Sequence, residues 1–266
     1  MKLKHYLVTV IVLFNVFIVS VNAMETTSSM VDIDTNVNES VVNTQDVSIY
    51  DEEFWDSFAT VVATTISDRN YLYNTSFGNV TSYIYGQEYT NYHMGASTLA
   101  HGGCGIIATY NALRFNGRII NLADTIRLFE ENWTLTIYGW LGTNPYGIGD
   151  YFDRNHVDYT EYSTPSDYLA FKNYVNENID TRQTYIVSFL LEPSTIFGGA
   201  HTAAFYSLGG KLYAFNRHNN DVDICEYDSL DDLIGEYPSE KFVVGYSLGF
   251  RSRLLEDETN LAFLDK

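Results

Sequence analysis

The chain predicts an α+β fold with its helices first and an antiparallel sheet after them, and three observations carry that reading. Up to about residue 178, apolar side chains recur at three- and four-residue spacing. From Tyr185 to Leu248 the pattern changes to short strand-like runs. Between two of those runs, Gly209-Gly210 supplies a tight hairpin turn. Helices followed by strands imply a meander with the helices on one face, and neither an internal repeat nor a second domain is visible.

Taken in order, Lys2 and Lys4, the apolar run Tyr6 to Val19 and the small-residue site Val21-Asn22-Ala23 read as a secretory signal peptide over 1–23. A membrane anchor is the competing reading, although Asn15 interrupts the run and polar sequence follows at once. Residues 24–47 are Thr, Ser, Asn, Val and acid without periodicity, a disordered leader or pro-segment. The domain is expected over 48–252, with 253–266 an acidic tail. Ile49 to Ile66 reads as an amphipathic helix, through Phe54, Trp55, Phe58, Val61, Val62 and Ile66. Tyr71 to Tyr92, rich in Tyr, Thr, Gly and Asn, reads as a loop or hairpin.

Cys104 to Phe115 is the most apolar helix, ended by Asn116-Gly117, and is expected to be the buried central one. Asn121 caps a second helix through Asn132, Asn144-Pro145 opens a third through Ile148, Tyr151 and Phe152, and Ser166 to Asn178 makes a fourth. The expected strands are Tyr185 to Leu191, Thr202 to Leu208, Lys211 to Phe215, Val222 to Tyr227 and Lys241 to Leu248.

Thirty-four acidic against 15 basic residues give a formal net charge of -19. Loss of Lys2 and Lys4 with the signal takes it to about -21, which argues against nucleic acid and anionic membranes as partners. The chain is long enough for one domain to fold on its own core, and a monomer is expected. The 22 tyrosines and 16 phenylalanines suit an aromatic-rich core, with a carbohydrate- or peptide-binding surface as the alternative. Two cysteines, Cys104 and Cys225, could form a disulfide or be a nucleophile and a bystander. Sequons at Asn38, Asn74, Asn79 and Asn132 matter only if the source is eukaryotic.

The setting of Cys104 favours the nucleophile. Gly102-Gly103-Cys104-Gly105 leads into a long apolar helix, so the sulfur stands at a helix N-terminus, where the dipole and free N–H groups favour a thiolate. The glycines read as clearance for a substrate backbone and for an oxyanion beside the Cys104 N–H, with Gly102, Gly103 and Gly199 as a substrate loop. His201 follows Gly198-Gly199-Ala200 at the start of a buried strand, and Asn216 ends the next strand after the Gly209-Gly210 turn. That places Asn216 near enough to hold the imidazole in the tautomer that serves a thiolate. Cys225 lies beside Asp223 and Glu226, an acidic setting that raises a thiol's pKa. His93 and His101 lack the further Cys or His pair of a tetrahedral site, so no metal is expected.

Gly103-Cys104-Gly105-Ile106-Ile107-Ala108, with the His201 strand and its hairpin to Asn216, resembles papain-like cysteine peptidases, in particular bacteriocin-leader-processing peptidase domains and their stand-alone secreted relatives. The likeness covers about Tyr92 to Leu248, and only the two motif regions are specific. It implies a papain-like fold and thiol-dependent acyl transfer on a peptide or amide substrate, with Cys104 as nucleophile, His201 as base and Asn216 completing a triad, and with no cofactor. That family usually places a glutamine about six residues before the cysteine to complete the oxyanion hole. Thr98 stands there in this chain. Its hydroxyl and the Asn91 amide rank level as replacements, and Gln87 is a further donor in the same stretch. The usual Asp after the His is Asn here, which papain itself tolerates. Three classes stay open: a secreted peptidase, a weakly active or inactive scaffold that binds partners at the cell surface, and an acyl or amide transferase.

Overall fold

A computed structural model describes residues 52–249 apart from 79, 81, 132–134, 136–138, 140–141, 165 and 193–198. The expected signal peptide, leader and acidic tail lie outside the described residues. The chain divides into two compact units, 1–62 and 63–266, and only the start of the first helix represents the former among the described residues.

Helix α1 runs Glu52–Thr75, nine residues beyond the Ile66 boundary expected from the apolar spacing. The extension is polar, and tertiary hydrogen bonds hold it. Asn70 Nδ2 donates to Gly95 O at 2.8 Å and to Glu130 Oε1 at 2.7 Å. The Asn74 amide closes both ways on the backbone of His93, at 2.8 Å each. Buried and paired so, the Asn74 side chain is no surface glycan acceptor. The stretch expected as a loop or hairpin therefore begins in helix, continues through a 3₁₀ turn at Gln87–Tyr89, and the hairpin comes later, as β1 (His93–Met94) with β2 (Ser97–Thr98).

A single turn, α2 (Leu99–Gly102), leads into α3 (Cys104–Phe115), which is buried along nearly its whole length as its composition predicts. Gly117 at φ 74° ends α3, with the Arg118 N–H on Leu113 O and the Gly117 N–H on Arg114 O. Helix α4 (Leu122–Glu131) is capped as expected, by Asn121 Oδ1 on the Ala123 N–H at 2.7 Å. Helix α5 (Gly147–Arg154) starts two residues after Pro145, and α6 (Asp167–Glu177) is flanked by Ser166 and Asn178. Between them lies a strand the sequence reading missed, β3 (Tyr159–Tyr162).

The remaining strands are β4 (Gln183–Leu190), β5 (Ala200–Leu208), β6 (Lys211–Phe215) and β7 (Cys225–Tyr227), then short helices α7 (Leu230–Ile234) and α8 (Pro238–Lys241), then β8 (Phe242–Leu248). They form one antiparallel six-stranded sheet in the order β3-β8-β4-β5-β6-β7. Gly209 and Gly210, both at positive φ, make the β5–β6 turn as the sequence predicts.

One expectation needs correcting: helices cover both faces of the sheet, not one. Ile106, Ile107 and Tyr110 of α3 share a core with Ile186, Ala204, Val244 and Tyr246. Phe171 and Val175 of α6, with Leu230 and Leu233 of α7, share a second core with Tyr185, Val187, Phe205 and Leu212. A sheet buried on both faces needs apolar side chains at successive positions, which is why β4 and β5 read as continuous apolar runs. Among the described residues, no helix is long and apolar enough to cross a membrane.

Candidate active site

Cys104 opens α3, and Gly103 stands at its cap. The two glycines before it serve packing, where the sequence reading gave them to a substrate. A Cβ on Gly103 would meet Leu99 Cδ2 at 2.4 Å, and one on Gly102 would meet the Gly142 Cα at 2.8 Å. At both positions the chain's own atoms occupy the space a side chain would need. Gly199, exposed and at φ 74°, accepts the Leu191 N–H on its carbonyl as β4 returns toward β5.

Against that packed approach the sulfur meets β5. Cys104 is 9% exposed and His201 4%, so the pair sits at the edge of solvent. Burial pushes the Cys104 thiol up, but the hydrogen bond and charge of His201, joined by the N–H and hydroxyl of Thr202, outweigh it and hold the thiol below its ordinary value. Cys104 and Cys225 are both free, which removes the disulfide alternative from this fold. Cys225 shows the opposite electrostatics: burial and the nearby Asp221 push its thiol up. The acidic setting foreseen for it is real, with Asp221 as the partner instead of Asp223 or Glu226.

His201 Nε2 lies 2.5 Å from the backbone oxygen of Asn216. A carbonyl only accepts, so Nε2 carries the hydrogen and Nδ1 is left for the sulfur. Asn216 thus orients the imidazole as the sequence predicts, yet through its main chain and not its carboxamide. The strand ladder ends at the Ala204–Phe215 pair, and Asn216 then takes a left-handed φ of 52°, a conformation asparagine tolerates better than most residues.

The Asn216 carboxamide is committed elsewhere. Its Oδ1 accepts the Gln87 N–H at 2.8 Å, and its Nδ2 donates to Gln87 Oε1 at 3.2 Å. Gln87 Nε2 in turn donates to Ala100 O at 3.2 Å. These bonds fix both amide orientations, since only one assignment gives each donor an acceptor. They also engage the carbonyl that a continuous helix would offer to the Cys104 N–H. Helix α3 starts afresh at Cys104, and among the described residues that N–H has no hydrogen-bond acceptor within the chain. It is free to receive an oxyanion next to the sulfur.

Of the two oxyanion candidates from sequence, Thr98 closes the β1–β2 hairpin opposite His93, and Asn91 is exposed on a separate, largely apolar cavity of about 480 Å³. That cavity is lined by Phe77, Tyr83, Tyr85, Tyr92 and Leu122 among others, and includes neither Cys104 nor His201. Among the described residues, no hydrogen bond joins Thr98 or Asn91 to the Cys104–His201 pair. The sequence reading ranked Gln87 behind them and missed Thr202 altogether. Nothing local in the sequence marks the Gln87 pairing, and the apolar strand hid Thr202. His93 stacks on Tyr73 with ring centroids 4.1 Å apart, and His101 is exposed on α2.

The arrangement pairs an ionisable sulfur with a tautomer-fixed imidazole beside a free N–H, the parts needed for nucleophilic attack on a carbonyl. No protein-family model matches the chain, and no curated protein matches it significantly.

Proposed function

We propose that the protein is an exported, thiol-dependent hydrolase with a papain-like fold, a cysteine peptidase acting through Cys104 and His201. The single observation that carries this reading is the Cys104 thiol at the start of α3 beside the His201 imidazole, whose Nε2 is held by the Asn216 carbonyl at 2.5 Å. The Cys104 thiolate attacks a substrate carbonyl carbon, and the Cys104 N–H receives the developing oxyanion. His201 gives its Nδ1 proton to the departing amine, leaving a thioester. Water, deprotonated by His201 Nδ1, then releases the acid and restores the thiolate–imidazolium pair. Asn216 positions the imidazole from behind, and Thr98 and Asn91 remain the side chains to test as a second oxyanion donor. Export is the reading of residues 1–23.

A second reading, a partner-binding scaffold with little turnover, is favoured by Thr98 at the position where the resemblance expects glutamine, since one lost oxyanion donor costs about 10²–10³ in rate. Incubation with a mixture of peptides, read by mass spectrometry, separates the two. Hydrolysis is expected with the natural chain and is lost in Cys104→Ala and His201→Ala. Equal cleavage by the natural chain and both variants, or by none of them, would sink the peptidase assignment.

A further inference from the structure

We propose that His218, Asp221 and Cys225 form a binding site for a divalent transition metal of the zinc class. Sequence reading expects no metal, because His93 and His101 find no second closely spaced Cys or His pair. The fold gathers them. One ligand atom from each, an imidazole nitrogen, a carboxylate oxygen and the thiol sulfur, lies within 4.8 Å of the other two. Around a tetrahedral zinc such atoms stand roughly 3.3–3.6 Å apart, given bonds of about 2.0–2.3 Å, so modest side-chain rotation closes the set.

The loop presenting these groups is already held in place. Cys225 opens β7 opposite Ala214, which fixes one ligand on the sheet. The Asp221 N–H donates to His218 O at 3.2 Å, closing the turn. Asp221 Oδ2 accepts the His218 N–H at 2.7 Å, while Oδ1 lies 3.2 Å from His218 Nδ1. Asn219 O accepts the Glu88 N–H at 2.8 Å and ties the loop to the 3₁₀ turn. Such preorganisation lowers the ordering cost of binding.

The donor set selects the ion. One thiolate, one imidazole and one carboxylate suit zinc and its analogue cobalt, whereas magnesium and calcium take oxygen ligands. The Asp221 side chain is 12% exposed and that of His218 56%, so the ion would enter from the His218 side and water would complete the coordination there.

Cobalt(II) titration of the untagged, reduced protein tests this, because a thiolate ligand gives cobalt a charge-transfer absorption and tetrahedral geometry gives it visible bands. Cys104 and His201 are a second thiol–imidazole pair, so the titration is run in Cys104→Ala. The bands are expected to appear in Cys104→Ala at one equivalent, to vanish on addition of zinc, and to be lost in Cys104→Ala/Cys225→Ser and Cys104→Ala/His218→Ala. Both second positions are at least partly exposed, and circular dichroism matching the parent shows that those proteins fold. Absence of the bands in Cys104→Ala, or their persistence in either double variant, would overturn the site.

Discussion

Burial alone would make Cys104 a weak acid, and its lowered pKa marks how much His201 and Thr202 offset. The imidazole does this because Asn216 fixes its tautomer from the main chain, and Asn216 is itself locked to Gln87 by two hydrogen bonds. Replacing Asn216 by Ala leaves the Gln87 N–H unpaired in the interior, at about 1–3 kcal/mol, and puts a Cβ residue of lower tolerance at positive φ, at about 1 kcal/mol more. Asn216→Gly avoids the second cost and keeps the carbonyl, so urea denaturation should find it the more stable of the two. If hydrolysis is confirmed, both should lower kcat with little change in KM, because the carboxamide only anchors, through Gln87, the backbone whose carbonyl orients the imidazole. Cys104, His201 and Asn216 were legible because small residues or a turn set each apart in the sequence. Gln87 was not, because its partner lies 129 residues away and nothing local marks the pairing.

Among the elements, α1 shows most plainly why local pattern gives out. Its apolar spacing fades after Ile66, and the helix goes on because Asn70 and Asn74 reach partners on the β1–β2 hairpin. In the same knot Glu130 Oε1 accepts from Asn70 Nδ2 and from the Gly95 N–H, while Glu130 Oε2, Asn70 Oδ1 and Ser67 Oγ are buried without a hydrogen bond of ordinary geometry among the described residues. Burial raises the Glu130 carboxyl above the ordinary carboxylate range, and its donors pull it only part of the way back. A raised acid supports the fold in its neutral form. Its contribution is full below the ordinary glutamate value and is lost as pH climbs through the raised one. Glu130→Gln keeps both accepted bonds and adds a donor for the unpaired oxygens. It should stabilise the protein at pH 7 by on the order of 1 kcal/mol, with the advantage shrinking toward pH 4. Denaturation of both proteins across that range checks it, and an advantage that grows on acidification would refute it. The helices from α3 to α6 were legible because turn-forming residues bound their apolar faces, whereas β3 is four residues whose side chains are all partly or fully exposed.

Over the whole molecule, the sheet is held between α3 with its neighbours on one face and α6 with α7 on the other. Ile107→Ala and Phe171→Ala remove fully buried side chains from opposite faces and should cost about 2–5 and 3–5 kcal/mol. Because one sheet joins the two cores, each variant should still unfold in a single transition by circular dichroism and by tyrosine fluorescence alike. The α+β class was legible from the order of helices and strands, but the two-sided cover was not, since a run apolar at successive positions does not say what lies on each side. All of this architecture converges on one thiol paired with one imidazole. The direct test is the pH dependence of iodoacetamide alkylation at Cys104, followed by peptide mass in the presence of a chelator, with Cys225 as the internal reference. The account predicts a midpoint for Cys104 below the ordinary thiol value of about 8.5, one for Cys225 above it, and an upward move of the Cys104 midpoint alone in His201→Ala. Coincident midpoints for the two cysteines, or a Cys104 midpoint indifferent to His201→Ala, would contradict it.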